Sequence, residues 1–216
     1  FQPKLLGGKR VLITAGPTIE PIDTVRGITN TSSGKMGYAV ARAAREAGAA
    51  VTLVSGPTAL AAPRGLERID VCSALQMYDA VMARVAKANV FIGVAAVADY
   101  RPQEAKPHKL KKGTGALTLE LQPNPDILGT VAARKRPPFC VGFAAETENL
   151  EAYADAKRRR KKVPLLAANL AQHAFGADDN QLILFDDQGT HELARAPKIV
   201  LARQLIARIA KLLPKK

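Results

Sequence analysis

The feature that most constrains the fold is a regular alternation of short apolar runs with segments of helical periodicity. Residues 9–15 form a β-branched apolar run that stops at Gly16-Pro17, which is typical of a buried parallel strand. Residues 37–48 then repeat apolar side chains with the period of a helix, and residues 51–55 form a second apolar run like the first. This order predicts a right-handed strand–helix–strand unit.

The same alternation continues to the C-terminus. Further strands are expected at 66–71, 90–94, 139–143, 165–168 and 181–185, and helices at 73–87, 124–134, 150–162 and 198–213. Residues 108–122 depart from this alternation of strands and helices. Their leucines alternate with polar residues at a period of two, which indicates a hairpin. We therefore predict an α/β fold with an open, mostly parallel, Rossmann-like sheet, helices on both faces and a β-hairpin or flap extension.

Length and composition narrow the class of protein. The 216 residues suit one domain, and 47% hydrophobic residues supply enough apolar material to exclude a disordered chain. No apolar run approaches the roughly 20 residues that span a bilayer. Cys72 and Cys140 lie far apart without a CxxC spacing, which fits a cytoplasmic protein. Since the chain starts at Phe1, we expect residues 1–8 to be a linker remnant and residues 9–216 to be a single domain.

The net charge of +13, from 32 Lys and Arg against 19 Asp and Glu, predicts an anionic partner. Nucleic acid, an acidic membrane and a phosphorylated small molecule all satisfy it. Much of the charge is local, in residues 106–112 and 157–162. A nucleic-acid module is disfavoured, because the chain has six Phe, four Tyr and no Trp, with no interleaving of aromatic and basic residues.

Several strand-end loops contain residues suited to chemistry. Ligands bind at the carboxyl ends of parallel strands, which here are residues 15–36, 95–112, 124–126 and 144–147. The first loop ends in a run of hydroxyls and glycines whose backbone N–H groups suit a phosphate, or merely cap a helix. It is not a P-loop, because Thr29 and Met36 replace the required Gly and Ser/Thr. An NAD(P)-dependent reductase remains the alternative, although no glycine fingerprint follows the first strand.

Other candidates have a structural explanation as well as a functional one. Asn124-Pro125-Asp126 reads as a helix start with Asn124 as the N-cap, and capping is the commoner role of such a segment. Lys157 and Lys161 are four residues apart, so both project from one helix face that is either solvated or a binding surface. The histidines are isolated, and nothing in the sequence resembles a metal cluster.

Seven short segments form a pattern along the chain. They are residues 13–18, 23–37 (ending Asn-Thr-Ser-Ser-Gly-Lys-Met-Gly), 94–102 (Val-Ala-Ala-Val-Ala-Asp-Tyr-Arg-Pro), 109–112, 124–127, 142–147 (Gly-Phe-Ala-Ala-Glu-Thr) and 157–161. Any one segment alone is a weak signal. Together, in this order and at compatible spacing, they resemble the bacterial, CTP-dependent phosphopantothenoylcysteine synthetase family from about residue 9 to 212.

The resemblance implies a two-step ligase of coenzyme A biosynthesis. The carboxylate of 4'-phosphopantothenate attacks the α-phosphate of CTP, and the amine of cysteine then displaces CMP from the acyl-cytidylate. Mg²⁺ would accompany CTP, and no flavin is expected on this domain. The family also implies a homodimer, with residues 100–122 as flap and dimer contact. It further implies fusion to a flavin-dependent decarboxylase domain, and no nucleic-acid or membrane partner.

The resemblance also assigns roles to individual residues. Asn30 would act on the acyl-cytidylate, Lys109 on the flap would support cytidylation, and Arg26 would lie on the substrate side. Asp99 would meet the ribose or a metal bridge. The remaining implied nucleotide contacts are Gly93, Val94, Ala95 and Phe143 around the base, and Pro125, Asp126, Ile127, Leu128, Lys157 and Lys161 around the triphosphate.

Overall fold

The computed structural model describes residues 4–146, 150–170 and 177–214. The strands are β1 Arg10–Ala15, β2 Ile19–Pro21, β3 Gly27–Thr29, β4 Ala50–Ser55, β5 Glu67–Asp70, β6 Val90–Gly93, β7 Tyr100–Pro102, β8 Leu121–Pro123, β9 Phe139–Glu146, β10 Leu165–Leu170, β11 Asp179–Asp186 and β12 Gly189–Pro197. The helices are α1 Lys35–Glu46, α2 Ala74–Met82, α3 Ile127–Ala132, α4 Leu150–Lys161 and α5 Lys198–Leu212, with a short 3-10 helix at Val85–Lys87.

Eight of these strands form the central sheet in the order β12-β11-β10-β9-β6-β1-β4-β5. The six strands from β10 to β5 run parallel, while β11 and β12 pair antiparallel at one edge. The chain builds outward from β1 to β4 and β5, and then returns to the other side of β1 through β6. This reversal creates a crevice at the carboxyl ends of β1 and β6, where open α/β sheets bind ligands. The predicted fold class is confirmed.

Two apolar cores cover the two faces of the sheet because successive strand side chains point in opposite directions. In β1, Val11 and Ile13 pack with α1 and α5, whereas Leu12 packs with the side that holds α2, α3 and α4. Helix α1 lies close to the sheet at its first turn. A Cβ added at Gly37 would lie 2.5 Å from the Cβ of Ala15, so a larger residue would push this turn outward.

The extension is present, but its strands differ from the predicted hairpin over residues 108–122. Strand β7 pairs with β8 through Tyr100 and Pro123, so the ladder lies at the outer ends of the segment. Leu121 belongs to this ladder, paired with Pro102, while Leu117 and Leu119 lie outside it. Leu117 is 60% exposed and Leu119 is 36% exposed.

Three further features refine the sequence prediction. The small β2–β3 ladder was not predicted, and the helix expected over residues 73–87 ends at Met82 before the 3-10 turn. Leu6, in the segment predicted as a linker, is fully buried, and its amide donates to the Ala47 carbonyl, so the folded part extends to Leu6. No helix among the described residues is long and apolar enough to cross a bilayer.

Candidate active site

Two adjoining clefts open at the crevice beside β1 and β6. The first, here called the α3–α4 cleft, has a volume of about 690 Å³ and lies between the start of α3 and the last turns of α4. The second, the α1 cleft, has a volume of about 380 Å³ and lies at the start of α1. The residues that line both clefts are Ala95, Val97, Asp99, Phe143 and Lys157.

The structure brings most of the predicted site residues to these clefts. The α3–α4 cleft is lined by Gly93, Ala95, Asp99, Pro125, Asp126, Ile127, Leu128, Phe143, Lys157 and Lys161. The α1 cleft adds Asn30 and Val94. Segments up to 131 residues apart in sequence, from Asn30 to Lys161, therefore converge on one crevice.

The loop between the clefts, residues 94–99, is held by hydrogen bonds from three directions. The Thr18 amide donates to the Ala96 carbonyl at 3.2 Å, and the Thr18 hydroxyl accepts from the Ala98 amide at 3.0 Å. The Asn124 amide nitrogen Nδ2 donates to the Ala98 carbonyl at 2.9 Å. Asn30 Nδ2 donates to the Ala96 carbonyl at 3.0 Å. Since Nδ2 carries two hydrogens, Asn30 keeps a second N–H and its Oδ1 for a ligand.

Glycines set the depth of the α3–α4 cleft beneath Leu128. A Cβ added at Gly142 would lie 2.8 Å from Leu128 Cδ2 and 2.9 Å from Leu166 Cδ1, so Gly142 is needed for α3 to lie against the sheet. A Cβ at Gly93 would meet its neighbours only at ordinary contact distances of 3.7–3.9 Å. The absent side chain at Gly93 therefore leaves open space in the cleft floor.

The start of α3 lies two residues later than the sequence predicts. Asp126, not Asn124, is the N-cap, and its Oδ1 accepts from the Gly129 amide at 3.0 Å. The same oxygen accepts from Lys161 Nζ at 2.8 Å. Burial would raise the pKa of Asp126, but the hydrogen bonds from Lys161 and Gly129 outweigh it and lower that pKa. Asn124 instead supports the neighbouring loop by donating to the Ala98 carbonyl, and its own Oδ1 accepts from the Arg101 guanidinium.

Positive charge concentrates at the last turns of α4. Lys157 and Lys161 project into the α3–α4 cleft, where they are joined by Arg160 and Lys162. The run of basic residues at 157–162 indicated this region. The sequence did not distinguish Arg160 and Lys162 from residues on a solvated face. Four cations beside the N-terminus of a helix favour a polyanionic ligand.

Part of the α1 cleft is lined by polar side chains. Gly34 precedes α1 in the left-handed region, with φ of 77°, and no side chain caps the helix. Lys35 contacts Asp178 at 2.7 Å, and Lys198 donates to the Ala177 carbonyl. Burial, together with the nearby Lys35 charge, lowers the pKa of Lys198. Asn169 and Asn180 are also buried there. No local motif marks Lys198, Asn169 or Asn180, so the sequence analysis missed them.

Arg26 and Lys109 line neither cleft in the described part of the chain. The Arg26 guanidinium donates to Asp23 and, at 3.0 Å, to the Leu110 carbonyl, while the Leu110 amide donates to Asp23 Oδ2 at 3.0 Å. Hydrogen bonds from Arg26 and from the Val25 amide hold the pKa of the buried Asp23 well below its usual range. Arg26 thus fixes the backbone next to Lys109. The predicted substrate-side role of Arg26 and the catalytic role of Lys109 stay predictions.

Within the described residues, no group of three or more His, Cys, Asp or Glu side chains is placed to hold a metal ion. The carboxylates that line the α3–α4 cleft are those of Asp99 and Asp126.

Fold and site together define the class: a doubly wound α/β protein with a strongly cationic ligand crevice at the point where its strand order reverses. The chain belongs to the family described as the DNA/pantothenate metabolism flavoprotein C-terminal domain, which residues 6–213 match. This membership confirms the resemblance drawn from the seven segments, and it favours that interpretation over the NAD(P)-dependent reductase.

Named proteins and solved structures also match the chain. The chain is 52% identical over 208 residues to the coenzyme A biosynthesis bifunctional protein CoaBC of Vibrio cholerae, covering 94% of this chain and 52% of that protein. It therefore spans about half the length of the curated relatives it matches. A crystal structure of the C-terminal domain of CoaBC superposes with a TM-score of 0.84 at 42% identity, covering 97% of this chain and 98% of that one. A Cab2 mutant in complex with phosphopantothenate-cysteine shares the fold, with a TM-score of 0.77 at 20% identity, covering 94% and 87% of the respective chains.

Proposed function

We propose that this chain is a phosphopantothenate–cysteine ligase that uses CTP and forms an acyl-cytidylate in coenzyme A biosynthesis. The observation that carries the proposal is the pair of clefts that meet at Asp99, Phe143 and Lys157. A ligase of this type must bring a carboxylate to the α-phosphate of a nucleotide, so it needs two ligand sites with a common border.

CTP is assigned to the α3–α4 cleft. The open floor at Gly93 and Ala95 lets the edge of a cytosine approach the backbone, and Phe143 offers an apolar contact beside it. The triphosphate would extend toward Lys157, Lys161 and the N-terminus of α3, where cations and backbone donors are available.

4'-Phosphopantothenate is assigned to the α1 cleft. The uncapped first turn of α1 presents backbone N–H groups, and the neighbouring Lys35 and Lys198 supply positive charge that suits a phosphate. This arrangement would direct the carboxylate end toward the shared border, next to Asn30. The 380 Å³ of the α1 cleft falls within the range of small-molecule sites.

The reaction requires positioning and charge neutralisation more than a nucleophilic side chain. Carboxylate attack on the α-phosphorus builds negative charge on phosphate oxygens before pyrophosphate leaves, and Lys157 and Lys161 would stabilise that charge. Lys109 would add a cation from the flap. In the second step the cysteine amine attacks the acyl carbon, CMP leaves, and the remaining N–H of Asn30 would donate to the carbonyl or phosphate oxygen of the intermediate.

Asp99 and Asp126 are the cleft residues that would help to hold a Mg²⁺ ion accompanying CTP. Mg²⁺ in nucleotide sites is usually bound through phosphates, water and one or two carboxylates, and Asp99 and Asp126 line the cleft. When bound, it would neutralise part of the triphosphate charge. Asp99 is exposed at the border of both clefts, where it would meet either this ion or the ribose.

Assembly is part of the same proposal. Val25, Tyr100, Leu117 and Leu121 are between 47% and 66% exposed, and all lie on or beside the extension, which supports a contact with a second copy. We also propose that the domain operates beside a flavin-dependent decarboxylase domain, as the bifunctional name of the relatives supports.

The test is a reconstitution with purified protein, CTP, Mg²⁺, 4'-phosphopantothenate and cysteine. CMP and pyrophosphate are expected with all components, and pyrophosphate release without CMP is expected when cysteine is omitted. Asn30→Ala should accumulate the acyl-cytidylate, and Lys109→Gln should suppress pyrophosphate release. Lys135→Ala, an exposed lysine outside both clefts, is the charge-matched control. Absence of pyrophosphate from the unaltered chain across a range of pH and Mg²⁺ concentrations contradicts the proposal.

A further inference from the structure

Helix α4 carries the site lysines on its described segment, residues 153–161. Within that segment the buried side chains are those of Ala154 and Arg158, with exposures of 0% and 8%. One methyl group and one arginine stem form a small buried surface for the segment that holds Lys157 and Lys161. Polar contacts therefore contribute to fixing this segment of α4.

The polar contact on the far side of α4 is made by Arg158. Its Nη1 donates to Asp187 Oδ1 at 2.8 Å, and its Nε donates to Asp155 Oδ1 at 3.1 Å. Asp187 lies in the turn between β11 and β12. Arg158 thus ties α4 to the antiparallel edge of the sheet, at a hollow that has Lys162 in common with the α3–α4 cleft.

The turn that receives Arg158 is itself fixed to the domain. The neighbouring Asp186 has a side chain only 1% exposed, and it accepts from Arg208 Nε and from the Gln188 amide, both at 2.8 Å. Arg208 belongs to α5. The neighbouring residues Asp186 and Asp187 therefore join the β11–β12 turn to α5 and to α4, each through its own ion pair.

The last turn of α4 behaves as one unit with Arg158. The Val163 amide donates to the Arg158 carbonyl at 3.2 Å, and the Lys162 amide donates to the Arg159 carbonyl at 3.1 Å, which closes the helix end as a Schellman motif. Lys162 adopts the left-handed conformation that this motif requires, with φ of 53°. Because Lys157 and Lys161 are within one turn of Arg158, a rotation of this unit moves them both.

We propose that the contact between Arg158 and Asp187 is a brace that positions Lys157 and Lys161 for the nucleotide triphosphate. Arg158 is then a positioning residue, and Asp187 is its anchor. The inference rests on the proposed function, since it assigns the two lysines to CTP. The brace itself is a property of the helix and can be measured without nucleotide.

The experiment compares Asp187→Ala with Arg159→Ala in the 216-residue chain. Asp187 is 86% exposed, so its removal leaves the core intact. Arg159 is the matched control because it lies on the same helix and shares Asp155 at 2.8 Å without contacting Asp187. For Asp187→Ala we expect the KM for CTP·Mg²⁺ to rise about fivefold, the size expected for one partly exposed ion pair, while kcat falls by less than about twofold. Arg158→Lys should show part of this rise in the KM for CTP·Mg²⁺. Arg159→Ala should have the same KM as the unaltered chain.

Hydrogen–deuterium exchange without nucleotide separates this inference from the proposed function. Asp187→Ala should speed exchange of the amides from 153 to 163 and leave those of β1 and α1 unchanged. If this exchange is the same in both variants, the brace is overturned, whether or not the protein uses CTP. If exchange increases but the KM for CTP does not, the positioning role is overturned. If the unaltered chain binds no CTP, the proposed function fails while the exchange result still decides the brace.

Discussion

Asp126 combines two separable contributions to stability on one oxygen atom. Its Oδ1 caps α3 by accepting from the Gly129 amide and also pairs with Lys161. Loss of an N-cap costs about 1 kcal/mol. The ion pair is worth about 0.2–1 kcal/mol, because the Asp126 side chain is 52% exposed and that of Lys161 is 20% exposed. The cap should therefore contribute at least as much as the charge.

Asp126→Ala and Asp126→Asn distinguish these contributions. The alanine loses both, so the free energy of unfolding should fall by about 1–2 kcal/mol, which lowers Tm by roughly 2–8 °C in a protein of this size. Asparagine is an equally good N-cap, so Asp126→Asn should lower Tm by less than about 4 °C, and always by less than alanine does. Thermal unfolding at pH 7 without nucleotide measures both. Equal losses in the two variants would refute the capping argument.

The same pair predicts how stability depends on acidity. Because the folded-state pKa of Asp126 is lowered from its ordinary value of 3.8, its contribution is complete above that value and is lost as pH falls through the folded-state pKa. Lys161→Ala removes the main hydrogen bond that lowers this pKa, so the folded-state pKa should shift back toward 3.8 and the variant should lose less stability on acidification than the unaltered chain. Unfolding by urea between about pH 5 and pH 2 measures the shift. Superimposable acid profiles for the variant and the unaltered chain contradict it.

Three further changes test separate parts of the structure. Gly37→Ala should destabilise the protein by about 1–3 kcal/mol, since its Cβ would collide with Ala15; an unchanged urea midpoint contradicts the close packing of α1 on β1. Lys162→Gly should stabilise it by about 1 kcal/mol by relieving a left-handed residue at the end of α4, and a lower midpoint contradicts this. Iodoacetamide should label the exposed Cys72 in the native protein and both cysteines only after unfolding, because burial raises the pKa of the Cys140 thiol to about 12. Two adducts on the native protein, measured by mass spectrometry, would contradict this.

The sequence predicts the central sheet well because each of its signals is local. The apolar run at residues 10–15 and the periodic segment after Gly34 each require burial on particular faces. A sheet covered by helices satisfies both requirements. The extension was placed less accurately for the same reason. The leucines near residue 119 have a strand-like period, but a period gives no information on whether a core is present to receive it.

The site was predictable where residues sit at strand ends and unpredictable where they act through distant partners. Asp126 and Lys161 were both identified, yet their contact spans 35 residues and no local pattern contains it. Arg26 likewise donates to the Leu110 carbonyl 84 residues away, a contact that no local pattern contains, while its expected substrate-side role stays a prediction. Opposite charges are abundant in this chain, so the choice among partners depends on the tertiary structure.

The shared loop between the clefts explains why so many hydrogen bonds converge on residues with small side chains. A reaction between ligands in adjoining clefts depends on the distance between the two sites, and a misplacement of 1 Å can cost about a hundredfold in rate. Residues 95–98 are alanines and a valine that cannot fix their own position through side-chain polar contacts. Thr18, Asn30 and Asn124 do so instead, each from a different segment. Asn30 therefore holds the border between the clefts, and in the proposed reaction its second N–H would contact the ligand that binds beside it.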